Sequence, residues 1–148
     1  MTLNSEIVMS NQAHLYLANL RYCLSQNKLF IQSSLKEQAW TPLWELLANV
    51  GTFGLVIPKK DGGSQLGYLA YTSAMMELSR CSPSLGLSFI AHADLCINQI
   101  FRFATKEQKK RWLPLLIQGK ALGALALSEQ EVGSDALAIQ TKAEKVKG

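Results

Sequence analysis

The sequence predicts a mainly α-helical fold of about five helices, followed by short β-strands that begin near Ala121. Ahead of that residue, four apolar-periodic stretches begin at capping residues or end at glycine, as helices commonly do. From residue 121 the run Ala-Leu-Gly-Ala-Leu-Ala-Leu is short, uncharged and followed by turn formers, which is typical of a buried strand. We therefore predict a helical domain over residues 1–120 and the start of a β domain over residues 121–148.

The first three helices are predicted from leucine spacing and from capping residues. Leucines spaced along the N-terminal stretch indicate one amphipathic helix that ends near Gln26. The second helix is predicted to start at Thr41-Pro42, because threonine is a good N-cap and proline fits the first helical position. The third is predicted over about Ser64 to Arg80, with Glu77 and Arg80 placed to form an ion pair at i,i+3.

The fourth helix is predicted to start at Ser82-Pro83 by the same logic and to run to about Phe103. His92 lies in its middle among apolar neighbours, and we predict a buried histidine with one hydrogen bond instead of a catalyst. The residues predicted to face the core from this helix are Leu87, Ala91, Leu95 and Ile100.

The fifth helix is predicted to start at a capping box, in which the Thr105 and Gln108 side chains each bond the other's backbone N–H. It is predicted to end near Gln118, with Gly119 as its terminator. Pro114 falls inside the helix and is expected to bend it or to shift its hydrogen bonds. A second short strand is predicted over Ala138–Val146 from weak alternation of side chains.

Composition narrows the class of protein. The chain has 148 residues, 48% of them hydrophobic, which fits a globular domain and argues against disorder. The net charge of +4 is too small and too scattered for a nucleic-acid-binding surface. Three widely spaced cysteines in apolar surroundings are expected to be reduced, and they form no metal motif. No membrane span or secretory signal is recognisable, so a cytoplasmic location is expected.

The densest group of polar residues, Leu125–Asp135, follows the predicted strand and reads Leu-Ala-Leu-Ser-Glu-Gln-Glu-Val-Gly-Ser-Asp. A polar loop at the end of a rigid apolar strand is a common arrangement for a ligand site. Ser128 offers a hydroxyl, and Gly133 would let the backbone approach a flat ring or adopt a positive φ. From these residues alone, an ordinary polar turn at the end of a strand is the favoured interpretation.

The same stretch resembles the A-L-[ST]-E-P-x-x-G-S-D signature of the acyl-CoA dehydrogenase family. The similarity extends from Trp40 to the C-terminus, and Gly86–Gln99 is most similar to the isovaleryl-CoA dehydrogenase branch. Gln130 departs from the signature, because the family usually has proline there. The other matching stretches, in the family's order and spacing, are Gly51–Pro58, Gly62-Gly63, Glu77–Arg80, Lys106–Lys109, Trp112–Pro114 and Gly119-Lys120.

The resemblance implies the N-terminal helical domain of that family and its flavin chemistry. Family members oxidise an acyl-CoA to a 2-enoyl-CoA: a carboxylate removes the α-proton while the β-hydride passes to FAD. Electrons then leave through an electron-transfer flavoprotein. The residues implied to bind the cofactor are Leu125, Ala126, Leu127, Ser128, Gly133 and Ser134. Those implied to bind the acyl-CoA substrate are Ser134, Leu87, Ser88 and Ala91, whose sizes suggest a short or branched acyl chain.

The resemblance assigns no catalytic residue and no metal ligand to this chain, because the family's catalytic glutamate lies in a C-terminal helical domain. The chain is therefore expected to be an N-terminal fragment or a truncated gene product, and to be inactive by itself. A homo-oligomer is expected, and the location would be the mitochondrial matrix if the source is eukaryotic. One alternative stays open, namely a non-catalytic helical module that binds a partner or a CoA ligand.

Overall fold

The computed structural model describes residues 9–144, and most of that part of the chain is α-helical, as predicted. A π-helical stretch, Ala93–Asn98, joins two of the helices end to end, and single 3-10 turns occur at Thr52–Gly54, Lys59–Asp61 and Ala136–Ala138. The helices are α1 (Asn11–Gln26), α2 (Lys28–Lys36), α3 (Trp40–Asn49), α4 (Gly67–Cys81), α5 (Pro83–His92), α6 (Gln99–Phe103) and α7 (Lys106–Ile117).

Two helices start where local capping chemistry predicted. α5 begins with Pro83 at its first position after Ser82, and α7 begins after Thr105. The capping box of α7 is complete, since the Gln108 N–H donates to Thr105 Oγ1 at 3.3 Å and the Thr105 N–H donates to Gln108 Oε1 at 2.8 Å. These contacts involve residues three apart, so the sequence was sufficient to predict them.

The N-terminal stretch contains two helices, whereas the sequence predicted one. Asn27 separates them, because its side-chain amide and its backbone N–H both donate to the Cys23 carbonyl and end α1. The Asn27 carbonyl then accepts from the Ile31 N–H and begins α2. With only Ile31 and Ser34 buried, α2 has too short an apolar pattern to be recognised from periodicity.

The starts of α3 and α4 also differ from the prediction. α3 begins at Trp40, one residue before the predicted cap, so Pro42 still falls in the first turn where no backbone donor is needed. α4 begins at Gly67 and not at Ser64, because the backbone N–H groups of residues 64–67 donate to carbonyls of Gly54, Leu55 and Ile57. These non-local bonds hold residues 64–66 outside the helix.

The core is centred on aromatic rings from several helices. The Trp44 and Phe53 ring centroids are 5.1 Å apart, and the Tyr71 and Phe89 centroids are 5.0 Å apart. Phe53 and Phe89 connect the two pairs at 6.5 Å. Trp44, Phe53 and Phe89 are almost completely buried, so this cluster fixes how α3, α4 and α5 pack together.

The inward face of the predicted fourth helix is wrong. Leu87 is 69% exposed and Leu95 is also exposed, while Ala91 and Ile100 are only partly buried. The buried face runs instead through Leu85, Phe89, His92, Ala93 and Ile97. Two physical reasons explain the difference: the stretch is apolar on several sides, so periodicity does not decide, and the π-helical stretch Ala93–Asn98 shifts the register of everything after it.

Neither predicted strand forms. Residues 121–127 have no regular secondary structure, and the second predicted strand starts within the 3-10 turn Ala136–Ala138. A strand requires a paired neighbour, and residues 9–144 contain no strand at all. Lys145 and Val146, at the end of the second prediction, lie outside the described residues.

Glu77 forms the predicted ion pair with Arg80 at 2.8 Å and a second one with Arg21 of α1 at 2.7 Å. The three cysteines are free. Over residues 9–144, no three His, Cys, Asp or Glu side chains are grouped to hold a metal ion, and none of the helices there has the length and apolarity needed to cross a membrane.

Candidate functional site

His92 connects the helical body to Gly123, which lies just before residues 125–128, the signature segment. The ring is completely buried, and it stacks edge-on against Phe53 and Trp44 with centroids 4.5 and 5.4 Å away. The Gly123 N–H donates to His92 Nδ1 at 2.9 Å, and Nε2 lies 3.1 Å from the Leu116 carbonyl oxygen. Because Nδ1 accepts a bond, the proton must be on Nε2, which donates to Leu116. Burial lowers the pKa of His92, so the ring stays neutral.

The route from α7 to the signature segment is fixed by two glycines. Gly119 ends α7 with φ +68°, and a β-carbon there would lie 2.9 Å from Ala48 Cβ. A β-carbon on Gly123 would overlap Cys96 Sγ and would lie 2.9 Å from Cys96 Cβ. Burial raises the pKa of the Cys96 thiol, and a hydrogen bond from the Ala124 N–H partly offsets this by lowering it. Residues 123–124 thus pass directly over the π-helical stretch.

The signature segment presents unused polar groups between exposed apolar side chains. Leu125 and Leu127 are 47% and 48% exposed. No hydrogen bond within residues 9–144 engages the backbone of Ala126 and Leu127 or the hydroxyl of Ser128. Backbone donors and a hydroxyl on an apolar edge are groups that can bind the polar rim of a flat heterocycle.

Glu129 closes the loop that follows. The Glu129 and Val132 backbones exchange two hydrogen bonds of 2.9 and 3.2 Å, which makes a tight turn around Gln130. The Glu129 carboxylate accepts from the Thr141 hydroxyl and from the backbone N–H groups of Gln140 and Thr141. These bonds, of which the one from the Thr141 hydroxyl has the largest effect, hold the pKa of Glu129 below its usual range. Glu129 is therefore an ionised structural carboxylate, committed to the loop.

The other predicted cofactor residues, Gly133 and Ser134, are exposed on the far side of this turn. Gly133 does not have a positive φ, and nothing lies within 4 Å of the place where its β-carbon would be. The open space leaves room for a close approach by a ring, which was the first of the two reasons to expect glycine there.

Three of the four predicted substrate residues, Leu87, Ser88 and Ala91, lie on α5, and the fourth is Ser134. Leu87 is exposed, and Ser88 and Ala91 are partly buried. Ala91 precedes His92, which bonds Gly123 only two residues before Leu125. The fold thus brings the C-terminal end of α5 to Gly123, two residues before the signature segment, although His92 and Gly123 are about 30 positions apart in the chain.

Two clefts elsewhere on the surface do not include these residues. A cleft of about 440 Å³ lies between α1, α2 and α4, and another of about 420 Å³ lies between Lys60 and the lysines of α7. The predicted flavin and acyl residues line neither of them. Since Leu87, Leu125 and Leu127 are exposed, these residues lie on an open surface of the part of the chain that the structure describes.

Sequence reasoning missed Gly123 and Cys96 and gave His92 one hydrogen bond too few. A glycine inside an apolar run is a recognised sign of close backbone approach, and Gly123 carried that signal. The partners of Gly123 could not be inferred, because His92 and Cys96 are about 30 residues away and their contact depends on the tertiary fold.

Comparison with known proteins identifies the family to which the sequence is similar. Residues 26–120 match the model of the acyl-CoA dehydrogenase N-terminal domain. The mitochondrial isovaleryl-CoA dehydrogenase of Solanum tuberosum is 49% identical over 106 residues, which are 72% of this chain and 26% of that protein. The chain thus spans about a quarter of the length of the curated relative that it matches.

Solved structures agree with the sequence relatives. An acyl-CoA dehydrogenase complexed with FAD from Bacillus anthracis superimposes with a TM-score of 0.78 at 25% identity, over 94% of this chain and 24% of that one. An electron transferring flavoprotein structure from Acidaminococcus fermentans gives a TM-score of 0.79 at 26% identity, over 90% of this chain and 36% of that one. The family model covers well over half of the chain, and the fold agrees with it. The chain belongs to the acyl-CoA dehydrogenase family.

Proposed function

We propose that this chain forms the N-terminal helical wall of a flavin-dependent acyl-CoA dehydrogenase that converts a short or branched acyl-CoA to its 2-enoyl-CoA. Family membership supports the chemistry, and the isovaleryl-CoA dehydrogenase relative supports the substrate class. FAD is the proposed cofactor, and an electron-transfer flavoprotein is the proposed electron acceptor. In this proposal residues 1–120 are the helical wall, and residues 121–148 are the start of a β domain whose further strands pair with them.

The proposal rests on one observation, namely that the polar groups of the signature segment are unbonded within the described chain and lie beside exposed leucines. The backbone groups of Ala126 and Leu127 and the Ser128 hydroxyl have no partner within residues 9–144, and exposed leucines flank them. Such groups fit the hydrogen-bonding edge and apolar face of a flavin ring, and FAD supplies the hydride acceptor when it is bound. In this proposal Ala126, Leu127 and Ser128 hold the ring edge, Leu125 packs beside it, and Gly133 leaves room for it.

The substrate side of the proposal uses α5 and the turn after the signature segment. Leu87, Ser88 and Ala91 would line the acyl pocket, since Leu87 and Ala91 share one helix face four residues apart. Ser134 would bond the acyl-CoA from the other side. A small Ala91 beside a branched Leu87 makes a compact wall, which favours a short or branched acyl chain.

We propose that the base for proton abstraction comes from outside residues 9–144. Glu129, the carboxylate next to Ser128, is occupied by three hydrogen bonds from Gln140 and Thr141. We therefore propose that the chain by itself does not oxidise acyl-CoA, and that the base comes from a further helical domain. We also propose that the complete protein is a homo-oligomer, located in the mitochondrial matrix or, if the source is a prokaryote, in the cytoplasm. The mitochondrial relative supports the first of these two locations.

A chimera tests the proposal. The matched part of the potato isovaleryl-CoA dehydrogenase is replaced by the matching residues of this chain, and FAD content and isovaleryl-CoA oxidation are measured with an artificial electron acceptor. We expect FAD to be retained and isovaleryl-CoA to be oxidised faster than a long straight-chain acyl-CoA. A folded chimera without FAD would overturn the proposal and would favour the non-catalytic module instead.

A further inference from the structure

His92 is the one fully buried imidazole in the described chain, and both of its nitrogens are used. It connects three parts of the fold: its own helix α5, the last turn of α7 through Leu116, and the start of the signature region through Gly123. The two aromatic rings of Trp44 and Phe53 pack against it and fix the ring plane. A buried polar residue that satisfies two distant backbone groups constrains both of them at once.

We propose that His92 is a positioning residue, which uses Nδ1 to set the point at which the signature segment leaves the helical body. Its consequence for catalysis rests on the proposed function, because Ser128 lies five residues beyond Gly123 and meets the flavin only in the complete enzyme. The positioning itself is a property of this chain and can be tested without flavin.

The direction of each hydrogen bond follows from its partners. The Leu116 carbonyl can only accept, so it takes the proton on Nε2 and leaves Nδ1 as an acceptor for Gly123. The Leu116 carbonyl also accepts from the Gly119 N–H, which ends α7. The tautomer of His92 is therefore set by the end of α7, and the tautomer in turn sets the position of Gly123.

Burial of the ring keeps this arrangement in place near neutral pH. It lowers the pKa of His92, so Nδ1 stays unprotonated and keeps its lone pair toward the Gly123 N–H. The ring is held on its other sides by packing, so a shift of Gly123 would leave a buried acceptor without a partner.

Two substitutions separate the two hydrogen bonds. In His92→Asn the side-chain oxygen can take the place of Nδ1 and keep the bond to Gly123, but the donor to Leu116 is lost. In His92→Gln the side-chain amide can reach the place of Nε2 and keep the bond to Leu116, but the acceptor for Gly123 is lost. Asparagine is the smaller side chain, so it also loses more packing against Trp44 and Phe53.

The two roles that His92 could have predict opposite orders for the release of Gly123 in these variants. A residue that only supports the core would make His92→Asn the worse variant in every measurement, because it removes more packing. A positioning residue makes His92→Asn less stable overall, but makes His92→Gln the variant in which Gly123 is released.

Amide hydrogen exchange on the full chain, followed by NMR, distinguishes the two cases. We expect the Gly123 amide to exchange roughly 2- to 13-fold faster in His92→Gln than in the parent, the loss of one hydrogen bond. In His92→Asn it should stay close to the parent, after scaling to the Phe89 amide of α5 as an internal reference. Imidazole nitrogen shifts of the parent should show the proton on Nε2.

Equal release of Gly123 in both variants, or a parent ring with its proton on Nδ1, would overturn the positioning role. Neither result depends on flavin, so the proposed function would remain open to its own test in the chimera. Conversely, a chimera without FAD would leave the exchange result for Gly123 as it stands.

Discussion

Substitution of Gly123 by alanine tests the contact that fixes the signature segment. The new β-carbon would overlap Cys96 Sγ, and would lie 2.9 Å from Cys96 Cβ and 3.2 Å from Leu116 Cδ2. Overpacking of this kind costs about 1–3 kcal/mol. Replacing any glycine also restricts the unfolded chain, which stabilises the fold by about 0.4–1 kcal/mol.

Gly133→Ala is the matched control for this substitution. Gly133 lies ten residues after Gly123, has no positive φ, and has nothing within 4 Å of its β-carbon position. The unfolded-state gain is common to both variants, so their difference isolates the overlap at Gly123. We expect Gly123→Ala to be less stable than Gly133→Ala by about 1–3 kcal/mol, measured by urea unfolding with an unchanged m-value.

A double mutant identifies the atom responsible. Cys96→Ala removes Sγ, the atom that the new β-carbon would overlap, while Cys96 Cβ at 2.9 Å remains. We therefore expect the double mutant to recover part of the loss, with a coupling energy of at least about 0.5 kcal/mol. Additive effects of Gly123→Ala and Cys96→Ala would refute the close approach of the segment to the π-helical stretch.

Two further predictions concern the turn and the buried histidine. Gln130→Pro should stabilise the Glu129–Val132 turn by about 0.4–1 kcal/mol, because Gln130 has no positive φ and its N–H is unbonded within residues 9–144. Slower hydrogen exchange of the Val132 amide would confirm this prediction, and faster exchange would contradict it. Burial lowers the pKa of His92 from 6.5, so the unfolded chain takes up that proton first as pH falls. The contribution of His92 to stability is therefore complete above about pH 6.5 and is lost as pH falls through the lower folded pKa. Urea unfolding midpoints measured on either side of pH 6.5 should show this loss of stability. The same dependence of the midpoint on pH in His92→Gln would count against it.

The helices were predictable to the extent that their signals are local. The proline at the first position of α5 and the box at Thr105–Gln108 are signals between neighbours along the chain. Both helices begin where expected, although the Ser82 side chain makes no capping hydrogen bond. α4 begins later than expected because the backbone N–H groups of residues 64–67 bond to residues about ten positions away. Contacts of that range depend on the tertiary fold, which periodicity does not describe.

The sequence predicted that Ser128 lies on a loop, but not which contacts hold that loop in place. The motif placed Ser128 on a loop after an apolar run, and the hydroxyl is indeed exposed there. The predicted inward face of the fourth helix was wrong, because Leu87 of α5 and Leu95 of the π-helical stretch look like core residues in a sequence that is apolar on several sides. The predicted strands did not form, because strand pairing requires a partner and residues 9–144 provide none.

The affinity of the potato chimera for FAD, with and without the Ser128 hydroxyl, tests the central claim most directly. If residues 125–128 form the flavin edge, Ser128→Ala should weaken FAD binding by ~0.5–1.5 kcal/mol, the worth of one hydrogen bond. Ser84→Ala, an exposed serine at the start of α5, is the matched control and should bind FAD as the parent chimera does. Equal FAD dissociation constants for the parent, Ser128→Ala and Ser84→Ala would contradict the assignment of this segment to the flavin.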